Sequence, residues 1–327
     1  MSEERFLVTG SMGCIGAWVL RNLVRDGIEV LATDLSTDPT RPSQVMTPAE
    51  LRSIRFEQLD VTDPDTVRSA VVENGITHVV HLAGLQVPFC KANPTLGAQV
   101  NVVGTVNIFE AVRAAPEQVR GMSYASSLAV LGPGEMYADL PIRDDVRLAP
   151  TTLYGAYKQA NERTAKVFWE DWGVGSIGLR PYVVYGVGRD QGMTADTAKA
   201  ILAAAAERTY EIRFGGEVTL QYADDVAKMF IESARAEHEG AAVCNLRNTV
   251  IAVNDFVSKL AQHVPHHQVT YDSESSLAWP ADIDDSGLRS ILGTLPHTSL
   301  DDAMVEALAM YRDLLRTGNI DLAQLET

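Results

Sequence analysis

Two stretches of the sequence combine residue types in a spacing that can do chemistry. Tyr154-Gly155-Ala156-Tyr157-Lys158 contains Tyr-x-x-x-Lys. On a helix, positions i and i+4 share a face, so the phenol of Tyr154 and the ammonium of Lys158 can reach one site. A free phenol has a pKa near 10 and is a poor base at neutral pH, but a nearby cation favours the phenolate. Tyr157 is a second phenol one step along. Upstream, Ser126 and Ser127 follow the apolar run 120–125, where a hydroxyl at the end of a strand can hydrogen-bond a substrate oxygen while a tyrosine exchanges its proton. These residues alone leave open which serine does so, and the other then satisfies backbone groups.

The second stretch is Thr9-Gly10-Ser11-Met12-Gly13-Cys14-Ile15-Gly16, between an apolar run at 5–9 and a helical pattern at 14–26. Glycines there permit a tight turn and the close approach of a diphosphate, and the free N–H groups of the helix start hold the anion. Asp34 closes the next strand and is followed by Leu35 and Ser36, with no arginine immediately after it. A carboxylate at that place accepts the adenosine ribose hydroxyls and repels a 2′-phosphate, which favours NAD over NADP. Asp60-Val61 is placed near the adenine, and Leu82-Ala83-Gly84 puts small residues beside the cofactor. His81, inside an apolar strand end, reads as structural.

The elements that must position these groups alternate. Strands are expected at 5–9, 29–33, 54–58, 77–81, 120–125 and 176–180. Helices are expected at 14–26, after Asp63-Pro64, at 96–114 and from Tyr154 to about Trp172. Such alternation predicts right-handed βαβ units and a parallel sheet covered on both faces. Ligands of such sheets bind outside the carboxyl ends of the strands, where all the residues above converge. Beyond Tyr185 the pattern loosens. Helices are expected near 195–207, 224–236, 253–264, 284–291 and 300–316, and a strand near 212–214. The expected fold is an α/β doubly wound parallel Rossmann sheet over residues 1–186, to which some later segments return. Residues 187–327 form mainly a smaller C-terminal substrate-binding lobe.

The order TGSMGCIG, Asp34, Asp60-Val61, HLAG from His81, Asn101-Val102-Val103-Gly104-Thr105, YASSLAVLG, YGAYK and Arg180-Pro181-Tyr182-Val183-Val184-Tyr185-Gly186 resembles the extended short-chain dehydrogenase/reductases, the NAD-dependent epimerase/dehydratase family. The resemblance covers roughly residues 5 to 230. It implies that Tyr154 is the acid/base, Lys158 its partner and a ligand of the nicotinamide ribose, and Ser127 the substrate-facing hydroxyl. It also implies that Asn101 supports the site and that Tyr182 and Val183 flank the nicotinamide. A homodimer through helices 96–114 and 154–172 is expected from the same source.

Family membership leaves the reaction open between oxidation of a small alcohol and epimerisation or dehydration of a nucleotide sugar. Nucleotide-sugar members usually carry an arginine shortly before the Tyr-x-Asp-Asp-Val segment; here Val218 holds that place, and a diphosphate without a bidentate arginine loses its best anchor. Ala278-Trp279-Pro280 and Leu295-Pro296-His297-Thr298 resemble the tails of members that oxidise small polar substrates. The favoured reading is an NAD-dependent dehydrogenase of a sugar acid, polyol or hydroxy amino acid, the alternative an epimerase or dehydratase. A catalytically silent NAD-binding protein would have no need of Ser127, Tyr154 and Lys158. The substrate pocket is expected among Gln86, Ser127, Tyr154 and the 188–194 loop with Arg189 and Thr194, where Arg189 faces either a substrate carboxylate or surface acids.

Composition restricts partners. Over 327 residues, 27 Lys and Arg stand against 43 Asp and Glu, a net charge of −16. That surface repels nucleic-acid backbones and anionic membranes. Three dispersed cysteines offer neither a disulfide framework nor a zinc site, so no metal is expected. The start has no basic-then-apolar leader, and a cytoplasmic setting is expected.

Overall fold

A computed structural model describes residues 4–326. Twelve strands run in chain order as β1 Arg5–Thr9, β2 Glu29–Asp34, β3 Arg55–Gln58, β4 His78–His81, β5 Gly121–Ala125, β6 Ser176–Arg180, β7 Val183–Tyr185, β8 Thr209–Ile212, β9 Glu217–Tyr222, β10 Ala241–Asn245, β11 Thr249–Ala252 and β12 Gln268–Tyr271. Seven form one parallel sheet in the order β10-β6-β5-β4-β1-β2-β3. The strand order reverses between β1 and β4, which opens the crevice that doubly wound sheets use for ligands.

Both faces of this sheet are buried, so its strands are near-continuous apolar runs such as Phe6-Leu7-Val8 and Val79-Val80. Helices Cys14–Arg25 and Ala223–Arg235 cover one face, with Trp18, Leu20 and Phe230 in the core. Pro64–Val72, Gly104–Arg113 and Leu153–Trp172 cover the other, around Phe109, Tyr124 and Phe168.

Three departures from the sequence expectations matter. The helix expected over 96–114 starts at Pro94 and contains a five-residue π-helical segment, Gln99–Val103, between Pro94–Ala98 and Gly104–Arg113. Asn101 is the middle, buried residue of that segment, and such segments occur often at functional sites. The strand expected at 212–214 lies earlier, at Thr209–Ile212, where exposed Thr209 and Glu211 alternate with buried Tyr210 and Ile212. Finally, β10 rejoins the large sheet beside β6, while β7, β9 and β11 form a separate three-stranded sheet and β8 pairs with β12. Among the described residues, no helix is long and apolar enough to cross a membrane and no group of potential ligands could hold a metal ion.

Candidate active site

A crevice of about 800 Å³ runs along the carboxyl ends of the strands. At its nucleotide end the loop 10–16 is wound too tightly for a side chain at Gly10 or Gly16. Gly10 has φ +69°, and a Cβ there would meet the Ala83 backbone nitrogen at 2.6 Å. A Cβ on Gly16 would run into the Gly10 carbonyl and Ser11. Gly13 precedes helix Cys14–Arg25 without a side chain to cap it, so the first helical amides stay free for an anion. Asp34 accepts from the Met12 amide at 3.0 Å and the Leu35 amide at 2.8 Å, which fixes its carboxylate at the rim with further lone pairs to offer. This donor and acceptor set fits a dinucleotide whose ribose carries free hydroxyls.

Met12, Cys14, Ile15, Leu35, Asp60, Val61, Leu82, Ala83, Gly84 and Tyr182 line the same crevice. Val183 does not. It is fully buried in β7, and strand alternation turns its neighbours Tyr182 and Val184 towards the crevice instead. Sequence reasoning missed Arg41, which donates to Asp190 (3.0 and 3.1 Å) and to the Met12 carbonyl (3.2 Å) and so ties the 188–194 loop to the glycine loop. The partners are 149 residues apart, with no local pattern to announce them.

The catalytic candidates meet further along. Thr152 caps helix Leu153–Trp172 by accepting from the Gly155 amide, placing Tyr154 in its first turn. Ser127, Tyr154 and Lys158 all line the crevice. Burial pushes the Tyr154 phenol above its ordinary pKa, and the neighbouring Ser127 hydroxyl and the Arg189 charge pull the other way. The Lys158 ammonium donates to the Ala125 carbonyl at 2.8 Å and stands 5.7 Å from the Tyr154 ring centroid. Burial lowers its own pKa to about 8.

The two serines part company. The Ser126 hydroxyl is buried and donates to Glu162 at 2.5 Å. Glu162 is in turn held by two hydrogen bonds from Arg180, both 2.8 Å, and Arg180 also reaches Asn245 and the Asp144 carbonyl. Ser127, one residue on, faces the crevice, accepts from the Ala129 amide at 3.2 Å and lies beside the Tyr154 phenol.

Asn101 donates from Nδ2 to the Leu85 and Gly97 carbonyls, while its buried Oδ1 has no partner. A Cβ on Gly84 would touch both that oxygen (2.7 Å) and Lys158 Nζ (3.3 Å), so the two groups flank the same small space. His81 is buried with Nδ1 on Thr9 (2.7 Å) and Nε2 on Thr105 (3.1 Å), and burial lowers its pKa to about 3. A neutral, doubly tethered imidazole is a structural tie.

At the far end, Gln86, Arg189, Gly192, Met193, Thr194 and Trp279 close the crevice, with Trp279 set edge-on to Tyr182 at 6.4 Å. Val218, in the place where an arginine would grip a diphosphate, is fully buried in β9.

The NAD dependent epimerase/dehydratase family model matches residues 6–246. An uncharacterised epimerase/dehydratase of Staphylococcus aureus is 26% identical over 97% of this chain and its own full length. The mitochondrial L-threonine 3-dehydrogenase of Sus scrofa is 24% identical over 88% of this chain and 77% of its own. Among solved structures, the UDP-glucose 4-epimerase of Thermotoga maritima superposes with a TM-score of 0.80 at 21% identity, covering 95% of this chain and 99% of that one. A monomeric L-threonine 3-dehydrogenase from a metagenome gives 0.78 at 22% identity over 94% and 99%. The chain belongs to the NAD-dependent epimerase/dehydratase family, and NAD is its cofactor.

Proposed function

We propose that this protein is a dehydrogenase that oxidises a hydroxyl of a small polar substrate. Threonine dehydrogenases and UDP-sugar epimerases share its fold, so the fold does not choose between net oxidation and epimerisation. The observation that carries the choice is the substrate end of the crevice. It is walled by Trp279, Met193 and Gln86, and an apolar, buried Val218 stands where a diphosphate-binding arginine belongs.

Bound NAD supplies the hydride acceptor. Tyr154 takes the hydroxyl proton as the carbinol carbon is oxidised, and Ser127 hydrogen-bonds the same oxygen and keeps it beside the phenol. Lys158, with its ammonium 5.7 Å from the Tyr154 ring, would hold the nicotinamide ribose of bound NAD and lower the cost of the phenolate. Asn101 acts as a positioning residue, fixing the turn beside Gly84 and Lys158. Leu96, Val103, Val167 and Trp172 are each 43–48% exposed on the two helices that would pair in a homodimer; sedimentation as a monomer at micromolar concentration would remove that expectation.

The test is a panel of free hydroxylated compounds and nucleotide sugars with NAD, following reduced nicotinamide. Accumulating NADH with a free alcohol is expected. Turnover of UDP-glucose with no net NADH would overturn the reading.

A further inference from the structure

The charge lining the crevice is divided in a way the −16 surface does not foreshadow. Four carboxylates line it: Asp34, Asp38, Asp60 and Asp190. The first three follow β2 and β3, at the adenosine end. Asp190 is held by hydrogen bonds from Arg41, which lines the crevice beside it. Apart from that Arg41–Asp190 pair and the three acids at the adenosine end, the lining holds two cations, Lys158 and Arg189, and no further acid.

Lys158 already has a task, but Arg189 does not. Among the described residues it forms no ion pair, whereas Arg41 and Arg213 each hold a carboxylate. Its only side-chain hydrogen bond is from one terminal nitrogen to Thr194 Oγ1 at 3.2 Å, and its Nε is buried with no partner at all. A buried guanidinium N–H without an acceptor costs stability unless a ligand supplies one. The space it faces is kept open by Gly192, φ +100°, where a Cβ would lie 2.5 Å from Gln86 Oε1 and 3.1 Å from the Arg189 terminal nitrogen. The Arg189 charge also favours the phenolate of Tyr154, which places it on the reacting side of the crevice.

We infer that Arg189, steadied by Thr194, binds a carboxylate of the substrate, so that the compound oxidised is a small hydroxy acid lacking an amino group. The inference rests on the dehydrogenase reading and narrows it. The guanidinium fork matches the two oxygens of a carboxylate, and one arginine with a hydroxyl is a small donor set for a phosphate. A polyol would leave Arg189 unmatched. A hydroxy amino acid would bring an ammonium close to two cations, where the neighbouring carboxylate, Asp190, is already held by Arg41.

Calorimetric titration of the NADH-saturated protein tests this with three matched sets: threonate, erythronate and glycerate; threitol, erythritol and glycerol; threonine and serine. At least one acid should bind tenfold or more tighter than its polyol and than either amino acid. Arg189→Met should abolish that preference, weakening acid binding roughly 30-fold or more while polyol binding holds. Arg189→Lys, which keeps the charge but not the fork, should retain part of it, and a wild-type melting temperature in either variant establishes folding.

Equal binding of acids and polyols, no binding of any acid, or an acid preference that survives in Arg189→Met would overturn the carboxylate site without touching the dehydrogenase reading. Tighter binding of threonine, or of glycerol 3-phosphate, would overturn the assignment of the ligand class. Conversion of UDP-glucose without NADH accumulation would instead remove the reading beneath it.

Discussion

Ser126 and Ser127 are chain neighbours at the end of one strand, yet they open onto opposite kinds of polar surroundings. Behind Ser126 lies a closed network in which Glu162, Arg180, Asn245 and the Asp144 carbonyl satisfy one another in the interior. On the crevice side, buried polar atoms are left without partners among the described residues: Arg189 Nε and the Tyr182 hydroxyl on lining residues, and Asn101 Oδ1 beside Gly84. A completed network fixes geometry and has nothing left to offer a ligand. An incomplete one is costly in isolation and is the usual mark of a place where substrate, cofactor or water completes it.

Four substitutions sharpen or break this contrast. Tyr154→Phe removes the proton acceptor at the front and should lower kcat roughly 10³-fold with NAD binding retained, read by steady-state kinetics and cofactor titration. Activity within a factor of ten of wild type would dismiss the assignment. Behind the strand, Glu162→Ala leaves the Arg180 guanidinium buried and unpaired, and should destabilise the fold by about 3–5 kcal/mol in urea titrations. An unchanged midpoint would show that the network is ornamental.

The serines themselves should separate. Ser127→Ala should lower kcat/KM roughly 10²-fold at unchanged stability, a smaller effect than that of Tyr154. Ser126→Ala should cost about 1–3 kcal/mol of stability and leave the chemistry within a few-fold. The reverse pattern would exchange their roles.

The last effect concerns pH. Lys158 is held at a pKa of about 8 in the folded apoprotein, against 10.5 ordinarily, because burial disfavours its charge. The unfolded chain therefore binds more protons between those values, and this group alone makes stability rise with pH across that window. The penalty relieved is about 3 kcal/mol at most. Lys158→Met should gain most relative to wild type near pH 7, and the gain should shrink as pH rises from 8 towards 10. A difference independent of pH would place Lys158 in a more hydrated setting.

Much of this molecule was legible in its sequence, for physical reasons that also mark where legibility stopped. The parallel strands are short apolar runs bounded by glycine, proline or aspartate, and the nucleotide loop needs its glycines in a fixed order, so residues 5–34 read directly. The π-helical segment at Gln99–Val103 left no trace, because one added residue in a turn barely disturbs an apolar pattern. The strands β7, β9, β10, β11 and β12 were missed: β7, β11 and β12 have only three or four residues, and the partners of all five are set by tertiary contacts. In the site, the bond between Arg41 and Asp190 and the division of labour between the serines both depend on what arrives from distant parts of the chain. The misplacement of Val183 came from reading a motif as a unit, where the pleat divides it into two faces.

The return of β10 to the large sheet has a consequence for how the protein is made. As the chain emerges from its N-terminus, β1 to β6 are complete by residue 180, but the edge beside β6 stays bare until Ala241–Asn245 arrives. For those sixty or so residues of synthesis, β6 offers unpaired backbone groups to any neighbouring nascent chain. A gene split after residue 186 would make that exposure permanent, so the first half should be recovered as aggregate while co-expression of the second half rescues it.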